Sequence, residues 1–381
     1  MVPHLAKVER RVHFSYIVLN WIEKISHKDG RELNIKTMTL RIFKYLFLGV
    51  FLLLILLLLI FVAGSKMSMD SNFSHTNATK DLPKFSPTIG KGIVNISIGD
   101  MTFRARIAGF NGDSSKKVVI LLHGFPVTSA MWIDLIRPLE EAGYRVVAFD
   151  QRGYSPDARP ETLESYTVSK LTKDVFAVAD TIGAEEFHLI GHDWGAAVGW
   201  SAVLTNPSRI TSWTALSIAH PAAFGAALLD DPDQQARSSY FAFFQTPWLP
   251  ETFFSFNNFS VLKTLYEGMS EEKKKEYIDV FSEPEALTSA LNWYRAMGDT
   301  GLSSQDSVVS LEVKTPTLFL WGNQDGAVGR VAIDAMAEFM KGPYTNIELE
   351  AGHWLFVDKP ERIISEILIH IDQYNLDLII D

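Results

Sequence analysis

The segment His188–Trp200, HLIGHDWGAAVGW, decides how the rest of the chain is read. Phe187–Ile190 (FHLI) has the apolar character of a buried strand, Gly191 and Gly195 bracket Asp193, and an apolar stretch from about Ala196 reads as a helix. Strand, tight turn and helix in that order make a nucleophile elbow, in which small flanking residues let the apex side chain project from a strained turn. The apex residue here is a carboxylate where a hydroxyl would be expected.

Outward from the elbow, from about residue 90, apolar runs alternate with helical patterns. IVNISI and TFRARI alternate like a half-exposed hairpin around Gly99 and Asp100. VVILL, RVVAFD, FHLIG, WTALSI and TLFLWG are short continuous apolar runs, and the spacing between most of them accommodates a helix. Such runs suit strands buried on both faces, so the expected fold is α/β with a mainly parallel sheet. Between Ile218 and Thr317 no convincing strand occurs; the stretch is aromatic and helical and reads as a cap inserted above the sheet edge. No internal repeat is evident.

The chemistry follows from the apex residue. A serine attacking an sp³ carbon would form an ether with no carbonyl left to hydrolyse. A carboxylate attacking the same carbon forms an alkyl ester whose carbonyl belongs to the protein, so water can release the product and regenerate Asp193. The expected substrate is an alkylating electrophile, such as an epoxide or an alkyl halide. The elbow fold carries its partners in the order nucleophile, acid, histidine. His353, in IELEAGHWLF, lies just beyond a strand, where the base is expected. Asp325, in LFLWGNQDG, follows the preceding strand and can orient that imidazole. The end of the strand at Trp213–Ile218 offers no carboxylate in Ser217, Ile218 or Ala219. The turn in LLHGFP supplies a backbone N–H at Phe125, which with the N–H of Trp194 would form the oxyanion hole. His123 and His192 read as hydrogen-bonded supports.

HGFP, GHDWG and AGHW together resemble the epoxide hydrolase branch of the α/β-hydrolase superfamily, over roughly residues 90–375. The resemblance implies two cap tyrosines that hydrogen-bond the epoxide oxygen, which fall on Tyr240 in YFAFFQTP and Tyr294 in NWYR. Haloalkane dehalogenases share the Asp–Trp pair but call for an Asn or a second Trp as halide donor; position 125 is Phe, and Trp248 stays open for that role. A phenol can protonate a developing alkoxide, whereas a halide needs no acid, so the two tyrosines favour epoxide opening. A binding protein on an inactive hydrolase scaffold is the non-enzymatic alternative. Asp150–Pro160, DQRGYSPDARP, departs from the family pattern, in which GY is more often followed by a second Gly and then a Ser, and this bears on substrate preference. No metal or organic cofactor is implied, since side chains and backbone fill every role; the numerous cap aromatics suit an apolar epoxide.

The N-terminal part is of another character. Tyr45–Gly64 is twenty residues without a charge, long enough to cross a bilayer core as a helix. Residues 1–44 carry nine Lys and Arg against four acidic side chains, a net of +5. The positive-inside rule then puts the N-terminus in the cytosol and the catalytic part in the lumen or outside the cell. Sequons at Asn72 and Asn77 fit an exposed stalk, with others at Asn95 and Asn258. A weak amphipathic pattern over residues 5–25 fits a surface helix or a plain tail. The expected organisation is a basic cytosolic tail (1–44), an uncleaved transmembrane signal anchor (45–64), a stalk (65–90), an α/β-hydrolase core (91–220 and 306–381) and a helical cap (221–305). With 35 basic and 45 acidic residues the chain lacks the charge of a nucleic-acid binder. The absence of cysteine excludes disulfides and thiolate chemistry.

Overall fold

The computed structural model describes residues 35–73, 82–297 and 310–375. The amphipathic pattern of residues 5–25, most of the basic tail, the sequon at Asn77 and the last residues assigned to the cap lie outside them.

The described residues up to Phe61 fall in one unit, and those from Val62 onward in a second. A single helix begins at Ile35 and ends at Phe73, and it makes up the described part of the first unit. Its stretch Arg41–Asp70 is long and apolar enough to cross a membrane. Because this helix continues past Gly64, the segment read as an exposed stalk begins helical. Ser65 and Ser68 are buried, with the Ser65 hydroxyl bonded to that of Ser255 and Ser68 Oγ accepting from the Asn258 N–H at 2.7 Å.

The second unit is built on an eight-stranded sheet in the order β1-β2-β4-β3-β5-β6-β7-β8. β1 (Gly90–Ile98) and β2 (Met101–Phe110) form the antiparallel hairpin expected around Gly99 and Asp100. β2 also pairs antiparallel with β4 (Arg145–Phe149). This second pairing puts β2 inside the sheet, so it is buried over most of its length, where the alternation suggested half-exposure. Its polar positions Arg104 and Arg106 face carboxylates, as a buried charge requires.

From β4 onward the sheet is parallel: β3 (Val118–Leu122) lies between β4 and β5 (Phe187–His192), followed by β6 (Ile210–Leu216), β7 (Thr317–Gly322) and β8 (Tyr344–Leu349). β3, β4, β5 and β7 are buried at every position, as continuous apolar runs demand. The helix after β5, Trp194–Thr205, is almost wholly buried and packs so tightly that a Cβ on Gly199 would collide with the Trp213 ring.

The cap occupies the connection between β6 and β7. It contains helices Pro221–Asp230, Pro232–Arg237, Tyr240–Gln245, Leu249–Leu265, Glu271–Ser282 and Ala286–Arg295. The fourth is interrupted at Asn257, Asn258 and Phe259, three successive residues in the left-handed region with φ of 50, 54 and 58°. β3, β5, β7 and β8 all end on the same side of the sheet, the carboxyl ends where open parallel sheets bind ligands.

Candidate active site

β5 ends at His192, and the helix begins at Trp194, two residues earlier than its apolar pattern suggested. Asp193 between them has φ 53° and ψ −125°, a strained conformation for a residue with a side chain. The turn is this sharp because its neighbours lack Cβ atoms. A side chain on Gly191 would meet the Gly195 carbonyl, and one on Gly195 would meet the Leu122 carbonyl. Gly124, across from the apex, leaves room that a Cβ would take from the Asp193 carboxylate.

That carboxylate is 7% exposed and held at both oxygens. Oδ1 accepts the Phe125 N–H at 2.7 Å, and the neighbouring Trp194 N–H helps to favour the ionised carboxylate. Oδ2 lies 3.5 Å from Nε2 of His353. On the other side of the ring, Nδ1 is 3.1 and 3.0 Å from the two oxygens of Asp325. Asp325 is fully buried and accepts the Ala327 and Val328 N–H groups at 2.7 and 3.2 Å, which fix its orientation.

The electrostatics follow from one imidazole between two carboxylates. Burial opposes a charge on His353, but Asp325 and Asp193 outweigh it and lift its pKa to about 10. Burial likewise opposes ionisation of Asp193 and of Asp325, and in both His353 prevails, so each carboxyl sits below the ordinary range. The resting site therefore holds a protonated ring flanked by two carboxylates.

Tyr294, in the helix Ala286–Arg295, is 3% exposed, and its ring stands edge-on to Trp194 at 5.1 Å. Tyr240, at the start of its helix, is half-buried and 6.2 Å from Tyr294 between ring centroids. Burial raises both phenol pKa values, and the Asp193 charge raises them further, so both hydroxyls keep their protons. Phe125 and Phe244 complete an aromatic box around Tyr294. Asp193, Asp325, His353, Tyr240, Tyr294, Phe125 and Trp194 thus form one cluster.

His123 and His192 stand beside it as neutral supports. Nδ1 of His123 donates to the Gly124 carbonyl, and its Nε2 accepts from the Gln151 N–H, both at 3.0 Å. Nε2 of His192 donates to the His353 carbonyl at 2.9 Å, and burial pulls its pKa to about 4. Trp248 is 55% exposed, which does not suit a halide donor in a closed site. Sequence reading missed a second layer of the site: Arg104, Arg106, Asp150, Tyr266 and Glu276. The two arginines of TFRARI, charged positions in an otherwise strand-like run, are the signal that a buried acidic partner exists; nothing in the sequence points to Glu276 as that partner.

A profile of the alpha/beta hydrolase fold matches residues 117–360. Epoxide hydrolase 4 of Homo sapiens is 34% identical over 264 residues, covering 66% of this chain and 71% of that protein. The AB hydrolase superfamily protein YfhM of Bacillus subtilis is 32% identical over 265 residues, covering 68% and 91%. Among solved structures, epoxide hydrolase A from Mycobacterium thermoresistibile superimposes with a TM-score of 0.61 at 26% identity, covering 74% of this chain and 98% of that one.

Proposed function

Because this chain belongs to the alpha/beta-hydrolase family, in its epoxide hydrolase branch, we propose that it converts epoxides to vicinal diols through a covalent ester on Asp193. The observation that carries this reading is the setting of the Asp193 carboxylate, with Oδ1 bound by the Phe125 N–H and the protonated His353 ring near Oδ2. Oδ2 attacks a ring carbon, and the carbon–oxygen bond of the epoxide breaks. Tyr240 and Tyr294 bind the ring oxygen and donate the proton that the developing alkoxide needs.

Esterification removes the negative charge of Asp193, so His353 loses one of the two carboxylates that hold its proton. The ring's proton then restores the phenol, and the neutral imidazole is left to act as base. It takes a proton from water, the hydroxide adds to the Asp193 carbonyl, and the oxyanion formed on Oδ1 is met by the Phe125 and Trp194 N–H groups. Collapse breaks the bond from the Asp193 carbonyl carbon to Oδ2, the departing alkoxide takes the proton of the carboxylic acid so formed, and the diol leaves an ionised Asp193 beside a protonated His353. The atoms of the added water are accounted for: its oxygen stays on Asp193, one hydrogen is on His353, and the other leaves on the diol with Oδ2.

The same reading makes the protein a membrane enzyme anchored by residues 45–64, with the tail cytosolic and the catalytic unit lumenal or extracellular. Its support is the apolar helix, the +5 charge of the preceding residues and the sequons that follow. The mechanism is tested by a single turnover in H₂¹⁸O. The label is expected in the peptide bearing Asp193 and not in the first diol. In the His353→Gln variant an adduct equal in mass to the substrate should accumulate. Label entering the first diol directly, with no adduct on that variant, would mean that water attacks the epoxide itself.

A further inference from the structure

The loop Gly124–Ser129 carries the Phe125 N–H, and the sheet is only one of the two parts that hold it. From below, Asp150 at the end of β4 accepts the Ser129 N–H at 2.7 Å and pairs with Arg104 at 2.7 Å. From above, the cap grips the loop twice. The Tyr266 hydroxyl, fully buried at the end of the helix Leu249–Leu265, donates to the Pro126 carbonyl at 2.6 Å. Glu276, from the helix Glu271–Ser282, accepts the Thr128 hydroxyl at 3.1 Å and Nη1 of Arg104 at 3.0 Å. It also pairs with Arg106, whose Nη1 donates to the Ser129 hydroxyl at 2.8 Å. Pro126 and Thr128, one and three positions after Phe125, are therefore both bonded to the cap.

We propose that Tyr266 and Glu276 are positioning residues through which the docked cap sets the Phe125 N–H of the oxyanion hole. This rests on the covalent reading above. Their effect on the two half-reactions is unequal. In ring opening the charge on Oδ1 of Asp193 falls as the carboxylate becomes an ester, so a misplaced N–H costs that step little. In ester hydrolysis full negative charge develops on Oδ1, and the same misplacement is felt in the transition state. Deleting an oxyanion donor commonly costs about 10²–10³ in rate; a donor that is displaced but present costs on the order of tenfold.

The experiment uses the full-length protein, with Tyr266→Phe as the main variant because it removes only the hydroxyl and keeps the ring against Tyr277. Glu276→Gln serves as the second variant. Quenched-flow with intact-mass detection, using a styrene-type epoxide, measures formation and decay of the alkyl-enzyme. The expected result is ring opening within about threefold of the parent and ester decay slower by on the order of tenfold. kcat and KM should then fall together while kcat/KM stays. A merely structural role would lower the active fraction, reducing kcat with KM unchanged. That pattern, an equal slowing of both steps, or unchanged decay in both variants would overturn the inference. If either variant fails to fold, the other decides; should both fail, Thr128→Val, which removes one of the same bonds, is read in their place. Labelling of these variants in H₂¹⁸O separates the two failures: no label on Asp193 sinks the covalent reading, whereas label on Asp193 with normal decay sinks only the role of the cap.

Discussion

Replacing Asp193 by Asn reproduces the charge of the ester intermediate without substrate, and it isolates what holds the proton on His353. Nε2 of His353 lies 3.5 Å from Oδ2 of Asp193. At that separation, with an effective dielectric constant of about 20, one charge pair contributes about 4–5 kcal/mol. A pKa changes by one for each 1.36 kcal/mol, so loss of the Asp193 charge should lower the His353 pKa by about 3. In the parent enzyme that pKa is raised to about 10, and in Asp193→Asn it is expected near 7, a value suited to a base at neutral pH. Titration of ring-labelled histidine by NMR, with the signal assigned by its absence in His353→Gln, reads both values. Stability carries the same signature. The folded-state pKa of His353 lies above the unfolded value of about 6.5, so its contribution is fully present below that pH and is lost as pH rises through the folded value. The stability advantage of the parent over His353→Gln should therefore decline from about pH 6.5 and vanish above about pH 10, whereas in the Asp193→Asn background the decline should end near pH 7. A His353 that titrates near 6.5 in the parent, or one that keeps a pKa near 10 in Asp193→Asn, would refute the reasoning.

Two further outcomes are expected. Tyr240→Phe and Tyr294→Phe should each slow ring opening, and the double variant should lose most of it without unfolding, since general-acid assistance commonly contributes about 10²–10⁴-fold; single-turnover diol formation within threefold of the parent in the double variant would remove the phenols as the acid. In sealed vesicles, protease added outside should remove the tail before Tyr45 while Asn72 or Asn77 carries glycan, and digestion of the catalytic unit from the cytosolic side would reverse the topology.

The parts of the site written in contiguous residues were legible in the sequence. GHDWG combines a strand before, a helix after and glycines where no Cβ fits, and those are local requirements that five residues can meet. The same holds for the positions of Asp325 and His353, the first placed by the end of the apolar run TLFLWG and the second by the end of the alternating edge strand before AGHW. Asp193 itself announces its chemistry, because a carboxylate and a hydroxyl leave different bonds to break. What the sequence does not contain is the meeting of distant groups. β2 looked half-exposed because its alternation is local, while its burial comes from pairing with β4 some forty residues away. The proton on His353 depends on two carboxylates 28 and 160 positions distant, and on the 3.0–3.5 Å that separate them from one ring. Glu276 and Tyr266 are unremarkable in a helical, aromatic stretch; they acquire a role only because folding lays the cap on the loop after β3, across 148 and 140 positions of chain. Periodicity and residue type act over a few residues and specify strand, turn and nucleophile, whereas hydrogen bonds and charge act through space, so the ionisation of the site and the support of its oxyanion hole were decided only by tertiary structure.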